Sequence, residues 1–300
     1  MGRFDDALRT AKTIFAMSRH LALHPTYVGN LVGIAIAFVA IGPLEEMLEQ
    51  PGCPNLYWAL TNLPIPLVSI EKGTEGERVL VLAEFRDLDE SGTMNADQLE
   101  RFIAHMDKLL GEPAKPVSVR AWLDARTKDE EVVSAARRRL VEHGLPEERL
   151  LRFAADQVLL LDEKREYEVR RDDSMKIMNL PVWQAEALAA RIKNLKKPPA
   201  LFADVLEAGV YNVRKAQARV DQRIALLRHV EALRLYLAEH NGSFPANLSD
   251  LTVPVPDDPF TGKPFRYERN GNTVHLRGSP PAAEQNNANY NVHYELTLQK

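Results

Sequence analysis

The sequence predicts a mainly α protein with a C-terminal α+β domain, in which a long helix lies on a small antiparallel sheet. Three observations lead to this prediction. Apolar residues at helical spacing recur along most of the chain up to residue 240. A dense run of prolines then excludes further helix. Beyond it, short strand-like runs around Asn270-Gly271-Asn272 indicate a hairpin.

The first helix is predicted over Phe4–Leu23, ahead of Pro25. The opening residues, from Gly2 to Leu8, resemble the second helix of a tetratricopeptide-type hairpin, where glycine permits a tight turn and alanine a close helix contact. The first helix of such a hairpin does not precede them. We therefore expect helical hairpins, and both a truncated start and a true start at Met1 stay open.

Residues 27–41 are apolar nearly all round, with Asn30 as the strongly polar exception. The uninterrupted apolar run Leu31–Ile41 is shorter than the about 20 residues of a membrane span. Gly29 and Gly33 permit close helix packing. We therefore predict the buried central helix of a bundle, which the amphipathic segment Leu44–Glu49 extends, and no firm membrane span.

Two aromatic residues, Tyr57 and Trp58, are predicted to lie in a short helix that Pro64 closes. Each combines a large apolar surface with a polar group. The functional interpretation is a groove for a protein partner or a ligand, with Tyr57 and Trp58 as its contact residues. The alternative is an aromatic plug packed between helices.

The loop from Asp87 to Gln98 is the strongest chemical candidate, because it follows the spacing of a calcium-binding EF-hand. Asp87, Asp89 and Ser91 take the first three ligand positions. Gln98 takes the position where calcium needs a bidentate carboxylate, which an amide cannot supply. The alternative is a polar turn in which Asn95 or Thr93 caps a helix over Ala96–Leu110.

The remaining helices of the helical part are predicted from the spacing of apolar residues and from helix-breaking residues. A helix is predicted over Glu71–Phe85, and the proline-containing segment Glu112–Val119 is a linker. Four further helices are predicted: Trp122–His143, Glu147–Arg171, Leu180–Lys193 and Ala200–Val210. The charged, helix-breaking Lys196-Lys197-Pro198-Pro199 marks the domain boundary. The predicted domains are residues 1–197, helical, and residues 198–300, α+β.

The α+β part opens with a helix from Ala216 that ends at Asn241-Gly242, since both residues tolerate left-handed backbone. Its apolar residues form one stripe: Val220, Ile224, Leu227, Val230, Leu233 and Leu237. Its charged residues fall largely off that stripe: Arg219, Arg223, Arg228, Arg234 and Glu239. Strands are predicted over Phe265–Glu268, Thr273–Arg277 and Asn291–Leu298.

Residues 233–278 resemble the periplasmic part of type II secretion pseudopilins, in which a helix precedes a P-x-x-L-x-x-L segment and a D-P-W/F-G-x-P-Y/F-x-Y loop. The matching residues are Pro245, Leu248, Leu251, Asp258, Pro259, Phe260, Gly262, Pro264, Phe265 and Tyr267. Thr261 is an insertion, and neither the apolar leader helix nor the calcium loop of those proteins matches here. The resemblance therefore implies the shape of the domain, without pilus assembly.

The whole chain also resembles a family of proteins from planctomycete-type bacteria, in which the phrases GRFDDALRT, PNLYWALTNLP and DPFTGKPF recur. This resemblance implies a bacterial source and no particular activity. Together with the pseudopilin-like segment, it favours the bacterial envelope or periplasm over the cytoplasm.

Composition and motifs exclude several functional classes. The net charge of −4 and the lack of a basic face argue against nucleic acid as a partner. The spacings typical of zinc proteases, serine hydrolases, P-loops, dinucleotide-binding loops and cysteine clusters do not occur. The single cysteine, Cys53, is expected to be an inert buried thiol. The eight histidines are scattered along the chain.

We expect a non-enzymatic structural or protein-interaction protein of a bacterial cell envelope, with a protein as its partner. Two alternatives stay open. One is an enzyme whose site in the helical domain assembles from scattered side chains. The other is a calcium-tuned adaptor that uses the loop at residues 87–98. No cofactor is expected apart from calcium at that loop, and the oligomeric state is not predicted.

Overall fold

The computed structural model describes residues 3–111, 118–193, 200–203, 210–281 and 284–298. The helices are α1 (Phe4–Leu21), α2 (Tyr27–Leu48), α3 (Tyr57–Thr61), α4 (Glu71–Glu84), α5 (Ala96–Leu110), α6 (Val119–Asp124), α7 (Glu130–Glu142), α8 (Glu147–Leu150), α9 (Ala155–Met178), α10 (Val182–Lys193) and α11 (Val210–Glu239). The strands are β1 (Arg266–Asn270), β2 (Thr273–Arg277) and β3 (His293–Thr297). The predicted fold class is confirmed: the chain is mainly α, with a small antiparallel sheet near its C-terminus.

Two predicted helices are each divided in the structure. The helix expected over Trp122–His143 is α6 and α7, because the Asp129 side chain accepts the amides of Glu131 and Val132 and starts a new helix. The helix expected over Glu147–Arg171 is α8 and α9, with the buried Phe153 between them. The boundary predicted at residues 196–199 lies outside the described residues, as do most of the linker at 112–117 and the middle of the helix expected over 200–210.

The chain forms two compact units that are interleaved in sequence. Unit 1 contains Met1–Gly76, Leu180–Ala190 and Tyr211–Lys300, and unit 2 contains Glu77–Asn179 and Arg191–Val210. The prediction from the sequence is instead a linear division between residues 197 and 198. In unit 1, the N-terminal helices pack together with the long helix and the sheet.

The long helix α11 is the centre of unit 1, and residues 222–233 are nearly all buried. The single apolar stripe predicted for this helix is therefore too narrow: Arg228, expected off the stripe, is buried as well. Polar side chains on α11 bind the backbone of the segment before α4. Asp221 accepts the Leu67 amide at 3.0 Å, and Gln217 donates to the Val68 carbonyl at 2.6 Å.

Further along α11, a buried glutamate binds the segment ahead of α3. The Leu56 amide donates to the Glu231 carboxylate, and the Asn55 side chain donates to the Glu231 carbonyl at 2.9 Å. Arg234 completes the contact, since it pairs with Glu231 at 2.6 Å and donates to the Cys53 carbonyl at 2.8 Å. Buried charges persist when they are paired in this way.

The sheet has the order β1-β2-β3, with both pairs antiparallel. Val274 and Leu276 of β2 are fully buried, and Leu276 lies in one apolar cluster with Leu226 and Val230 of α11. Strand residues alternate between faces, so the opposite face carries the polar residues of all three strands. This face holds Arg266, Glu268, His275, Arg277, His293 and Glu295.

The loop between α11 and β1 is tied down by Asp258. Its buried carboxylate accepts the amides of Phe260 and Ser279 at 3.0 and 2.7 Å, and the side chain of Gln222 at 3.0 Å. Asp258 therefore joins this proline-rich loop to α11 and to the end of β2. The three hydrogen bonds of this carboxylate give Asp258 a structural role in the fold.

Helices α1 and α2 pack closely, as the two glycines predict. A Cβ on Gly33 would lie 2.7 Å from the Ser18 carbonyl oxygen, and the Ser18 hydroxyl donates to the Gly33 carbonyl at 2.7 Å. The prediction that α2 is buried holds for one face only. Val28, Val32 and Val39 are 69%, 44% and 62% exposed on the other.

Among the described residues, α2 is the helix that is long and apolar enough to cross a membrane, by length and composition alone. At 22 residues it is longer than the apolar run predicted from the sequence. Core helices of soluble proteins and signal sequences pass the same test, so this is weak evidence for a span. At its C-terminal end, Glu45 pairs with Arg223 of α11 and accepts the Tyr294 hydroxyl of β3.

Unit 2 is a helical body with one apolar core. Phe85 lies at its centre, with ring contacts to Phe102, Tyr167 and Phe202. Apolar side chains of α5, α7 and α9 contribute most of the remaining core.

Candidate functional site

An apolar groove of about 430 Å³ lies in unit 1 between α1 and the residues around α3. From α1 it is lined by Leu8, Ala11, Lys12, Phe15 and Arg19, and from α2 by Leu44. The opposite wall consists of Leu56, Ala59, Leu60, Asn62, Leu63 and Pro64. Steps of three and four along α1 place its lining residues on one face of the helix. We call this the α1–α3 groove.

The short helix α3 is too short to be stable alone, and its position is set by tertiary contacts. Tyr57 is fully buried, and its hydroxyl donates to the Pro254 carbonyl. The Tyr57 amide donates to the Asn55 side chain at 3.0 Å, and Asn55 in turn binds Glu231 of α11. One wall of the groove is therefore anchored to the central helix of unit 1.

The rim of the groove is basic. Lys12 and Arg19 are exposed, and neither forms an ion pair with another residue in the described part of the chain. Of the two acidic residues of α1, Asp6 pairs with Arg3 at 2.6 Å, and Asp5 is exposed in the first turn. Because no described acidic residue pairs with these two cations, their positive charge can attract an acidic ligand. The groove thus combines an apolar floor with two cations on one helical face.

The two residues predicted to contact a partner have different environments. Tyr57 is buried within unit 1 and has no surface to offer, so it matches the alternative of an aromatic plug. Trp58 is 62% exposed and packs edge-on against the Tyr57 ring, with the two ring centroids 5.0 Å apart. Trp58 does not line the α1–α3 groove. The groove is lined by neighbours of these two aromatic residues, among them Leu56, Ala59 and Leu60, and a partner contact by Tyr57 and Trp58 stays a prediction.

The predicted calcium loop is held by hydrogen bonds within unit 2. Gln157 of α9 is fully buried, and its amide donates to the carbonyls of Asp89 and Gly92 at 2.8 Å each. It also accepts the Met94 amide at 3.0 Å. One buried glutamine therefore organises the turn that calcium organises in an EF-hand.

The predicted calcium ligands have contacts of their own. The hydroxyl and amide of Ser91 both donate to Asp89 at 2.7 Å, which lowers the pKa of the Asp89 carboxyl. Asp87 lies 3.6 Å from the Arg86 side chain. Gln98 and Asn95 form a capping box at the start of α5. The capping alternative is thus present in the structure, and calcium binding by Asp87, Asp89 and Ser91 stays a prediction.

Several buried groups have shifted pKa values, among them Cys53 and Glu163. Burial raises the pKa of the Cys53 thiol, in keeping with an unreactive cysteine. Burial also raises the pKa of Glu163 on α9 to about 7, a value that suits a general acid. However, Glu163 accepts the Leu201 amide at 2.5 Å and holds that segment against α9. Its contacts are those of a structural anchor, so it lends the enzyme alternative no support.

A second cluster lies on the polar face of the sheet, where ring nitrogens of His275 and His293 and a carboxylate oxygen of Glu295 all lie within 4.8 Å of one another. Sequence reasoning missed this cluster, although the alternation of β3 places His293 and Glu295 on one face. His275 is distant in sequence, and the register that joins β2 to β3 cannot be read from either strand alone.

Comparison with protein-family models, with curated proteins and with solved structures found no match. Function is therefore inferred from the geometry of the chain itself.

Proposed function

We propose that this protein is a non-enzymatic interaction protein of a bacterial cell envelope, and that it binds a partner protein in the α1–α3 groove. The observation that carries the proposal is the combination of an apolar groove of about 430 Å³ with the exposed cations Lys12 and Arg19 on its rim, which form no ion pair with another described residue. The occupant is an amphipathic segment with apolar anchors and acidic flanking residues.

The chemistry of the groove supports this occupant. Grooves of this size are typical of sites that take apolar side chains, and an amphipathic helix binds through residues at steps of three and four. Burying each anchor removes apolar surface from water, which contributes about 25 cal/mol per Å². The two cations supply orientation and speed of association more than affinity. The envelope location is supported by the pseudopilin-like segment at residues 233–278.

Photo-crosslinking in the native host tests the proposal. A benzophenone amino acid replaces Asn62 in the groove or, as the control, the exposed Ser249 outside it. We expect one discrete protein adduct from position 62 and none from position 249. The adduct should disappear in the Lys12→Glu/Arg19→Glu variant, because the reversed charges repel an acidic segment.

A matched pair of neighbouring substitutions separates the groove from the exposed tryptophan. Ala59→Glu places a negative charge in the groove, whereas Trp58→Ala removes the adjacent exposed ring. We expect Ala59→Glu to abolish the adduct and Trp58→Ala to leave it. Loss of the adduct in Trp58→Ala alone would move the binding surface to the tryptophan, and equal adducts at positions 62 and 249 would contradict the proposal.

A further inference from the structure

The polar face of the sheet brings two imidazoles and a carboxylate together at a fixed register. His275 of β2 lies directly opposite Glu295 of β3, and His293 is two residues before Glu295 on the same face. The His275 Nδ1 and His293 Nε2 atoms are 3.1 Å apart, and His275 Nδ1 lies 3.6 Å from a Glu295 carboxylate oxygen. The centroids of the two imidazole rings are 5.2 Å apart.

These separations are those between ligands of a small metal ion. Zinc binds imidazole nitrogen at about 2.0–2.1 Å, so two ligand atoms of a tetrahedral site lie about 3.3 Å apart. The distances of 3.1 and 3.6 Å fall on either side of that value. A metal between the three groups therefore requires small side-chain rotations and no movement of the backbone.

The strands hold the cluster rigidly, because the opposite face of the sheet is packed. Val274 and Leu276, which flank His275 in β2, are fully buried. His275 is partly shielded, with 18% of its side chain exposed, whereas 57% of the Glu295 side chain is exposed. An ion from solvent can thus reach the ligand atoms without opening the fold.

Charged residues of both signs surround the cluster on this face of the sheet. Glu268 of β1 lies opposite His275, so two carboxylates stand on either side of the central histidine. On the same face Arg277 lies opposite His293, and Arg266 lies opposite Arg277, so two guanidinium groups balance the two carboxylates. Of the two carboxylates, that of Glu295 lies within ligating distance of both imidazoles and supplies negative charge for a divalent ion.

We propose that His275, His293 and Glu295 form a binding site for a first-row divalent metal ion of the zinc class. Imidazole nitrogens suit zinc, copper and nickel, whereas calcium and magnesium prefer an all-oxygen set. This site is separate from the loop at residues 87–98 and from the α1–α3 groove, so it does not depend on the proposed function.

Calorimetric titration of the chelator-treated full chain with Zn²⁺, and separately with Ca²⁺, tests the site. We expect one zinc ion per chain, no calcium binding at the sheet, and a higher melting temperature with zinc. Co²⁺ in place of zinc should give the visible absorption of a tetrahedral site. His275→Gln and His293→Gln should each weaken zinc binding by at least about tenfold.

A control variant removes two other imidazoles. His20→Gln/His24→Gln removes two exposed histidines, one in α1 and one after it, and this variant should bind zinc as the parent does. Glu295→Gln, at an exposed position, provides a second test if a histidine variant does not fold, and it should also weaken zinc binding. Zinc affinity unchanged in the sheet variants, or lost only in the His20/His24 variant, would overturn the proposal.

Discussion

At the scale of single residues, several positions combine backbone demands with close contacts that a sequence motif alone does not explain. Gly262 has a φ of +61°, and a Cβ there would lie 2.5 Å from ring atoms of Trp183. Gly271 has the same φ of +61° in the β1–β2 turn, and a Cβ at that position would meet nothing within 4 Å. Gly262 is thus required both by its backbone conformation and by the nearby Trp183 ring, whereas Gly271 is required by its backbone conformation.

This pair of glycines predicts a measurable difference. Gly271→Ala should cost about 1–2 kcal/mol, the usual penalty of a left-handed backbone for an L-residue. Gly262→Ala should cost about 1–3 kcal/mol more, because the Trp183 ring must move. The free energies of unfolding from urea titrations check this. Equal losses in the two variants would mean that the ring moves without cost.

A second residue-scale prediction concerns pH. The pKa of Glu163 is about 7 in the folded protein against 4.5 for the free side chain, so the folded state binds the extra proton between these values. Because unfolding then releases a proton, the stability of unit 2 should fall as pH rises from about 4.5 to 7, by about 3 kcal/mol, and level off above.

Glu163→Gln should remove this fall, since the amide does not titrate and its oxygen can still accept the Leu201 amide. Hydrogen exchange of the unit 2 amides at a series of pH values measures how the stability of unit 2 depends on pH. Glu131→Gln, at an exposed position on α7, is the control and should keep the parent profile. A parent profile that stays flat from pH 4.5 to 7 would contradict the raised pKa.

At the scale of elements, α2 is a helix whose two faces have different environments. One face packs within unit 1 through Ile34, Ala37 and Ile41, each at most 4% exposed. The other face presents exposed valines to solvent. Composition alone does not separate these faces, because both are apolar, and this explains why the sequence predicts a helix buried on all sides.

The two faces predict different mutational costs. Ile41→Ala should destabilise unit 1 by about 2–4 kcal/mol, because it leaves a cavity in a packed site. Val39→Ala, two residues away and 62% exposed, should change stability by less than about 0.5 kcal/mol. Urea denaturation followed by circular dichroism compares them. A large loss in Val39→Ala would show that another surface covers this face in solution.

At the scale of the whole molecule, the long helix joins distant parts of the chain into unit 1. Its Gln217, Asp221 and Glu231 side chains bind backbone at residues 56–68, far away in sequence. Without that segment, the polar groups of α11 would lose their hydrogen-bond partners, and its buried residues 222–233 would become partly exposed to water.

A fragment of residues 198–300 therefore should not fold on its own. We expect weak helix signal and no cooperative thermal transition by circular dichroism, in contrast to the full chain. Co-expression with residues 1–76 should restore a cooperative complex, because it returns the missing partners. A cooperative transition in the isolated fragment would instead support the linear division between residues 197 and 198.

The candidate sites show where sequence reasoning succeeds. The Asn95–Gln98 capping box and the turn at residues 87–98 are predictable, because they depend on hydrogen bonds over three or four residues. The groove is not predictable in this way, because which residues of the segment around Tyr57 and Trp58 face outward depends on the anchor to Glu231 and Pro254.

Local patterns in the chain are sufficient for the fold class, most helix positions, the chain reversals and the hairpin, because periodicity, caps and turn residues act on sequence neighbours. Four features require the folded molecule: the burial of residues 222–233 of α11, the interleaving of the two units, the α1–α3 groove and the meeting of His275 with His293 and Glu295. Each of these arises from residues far apart in sequence, and their positions are set by packing and strand register, which no local pattern encodes.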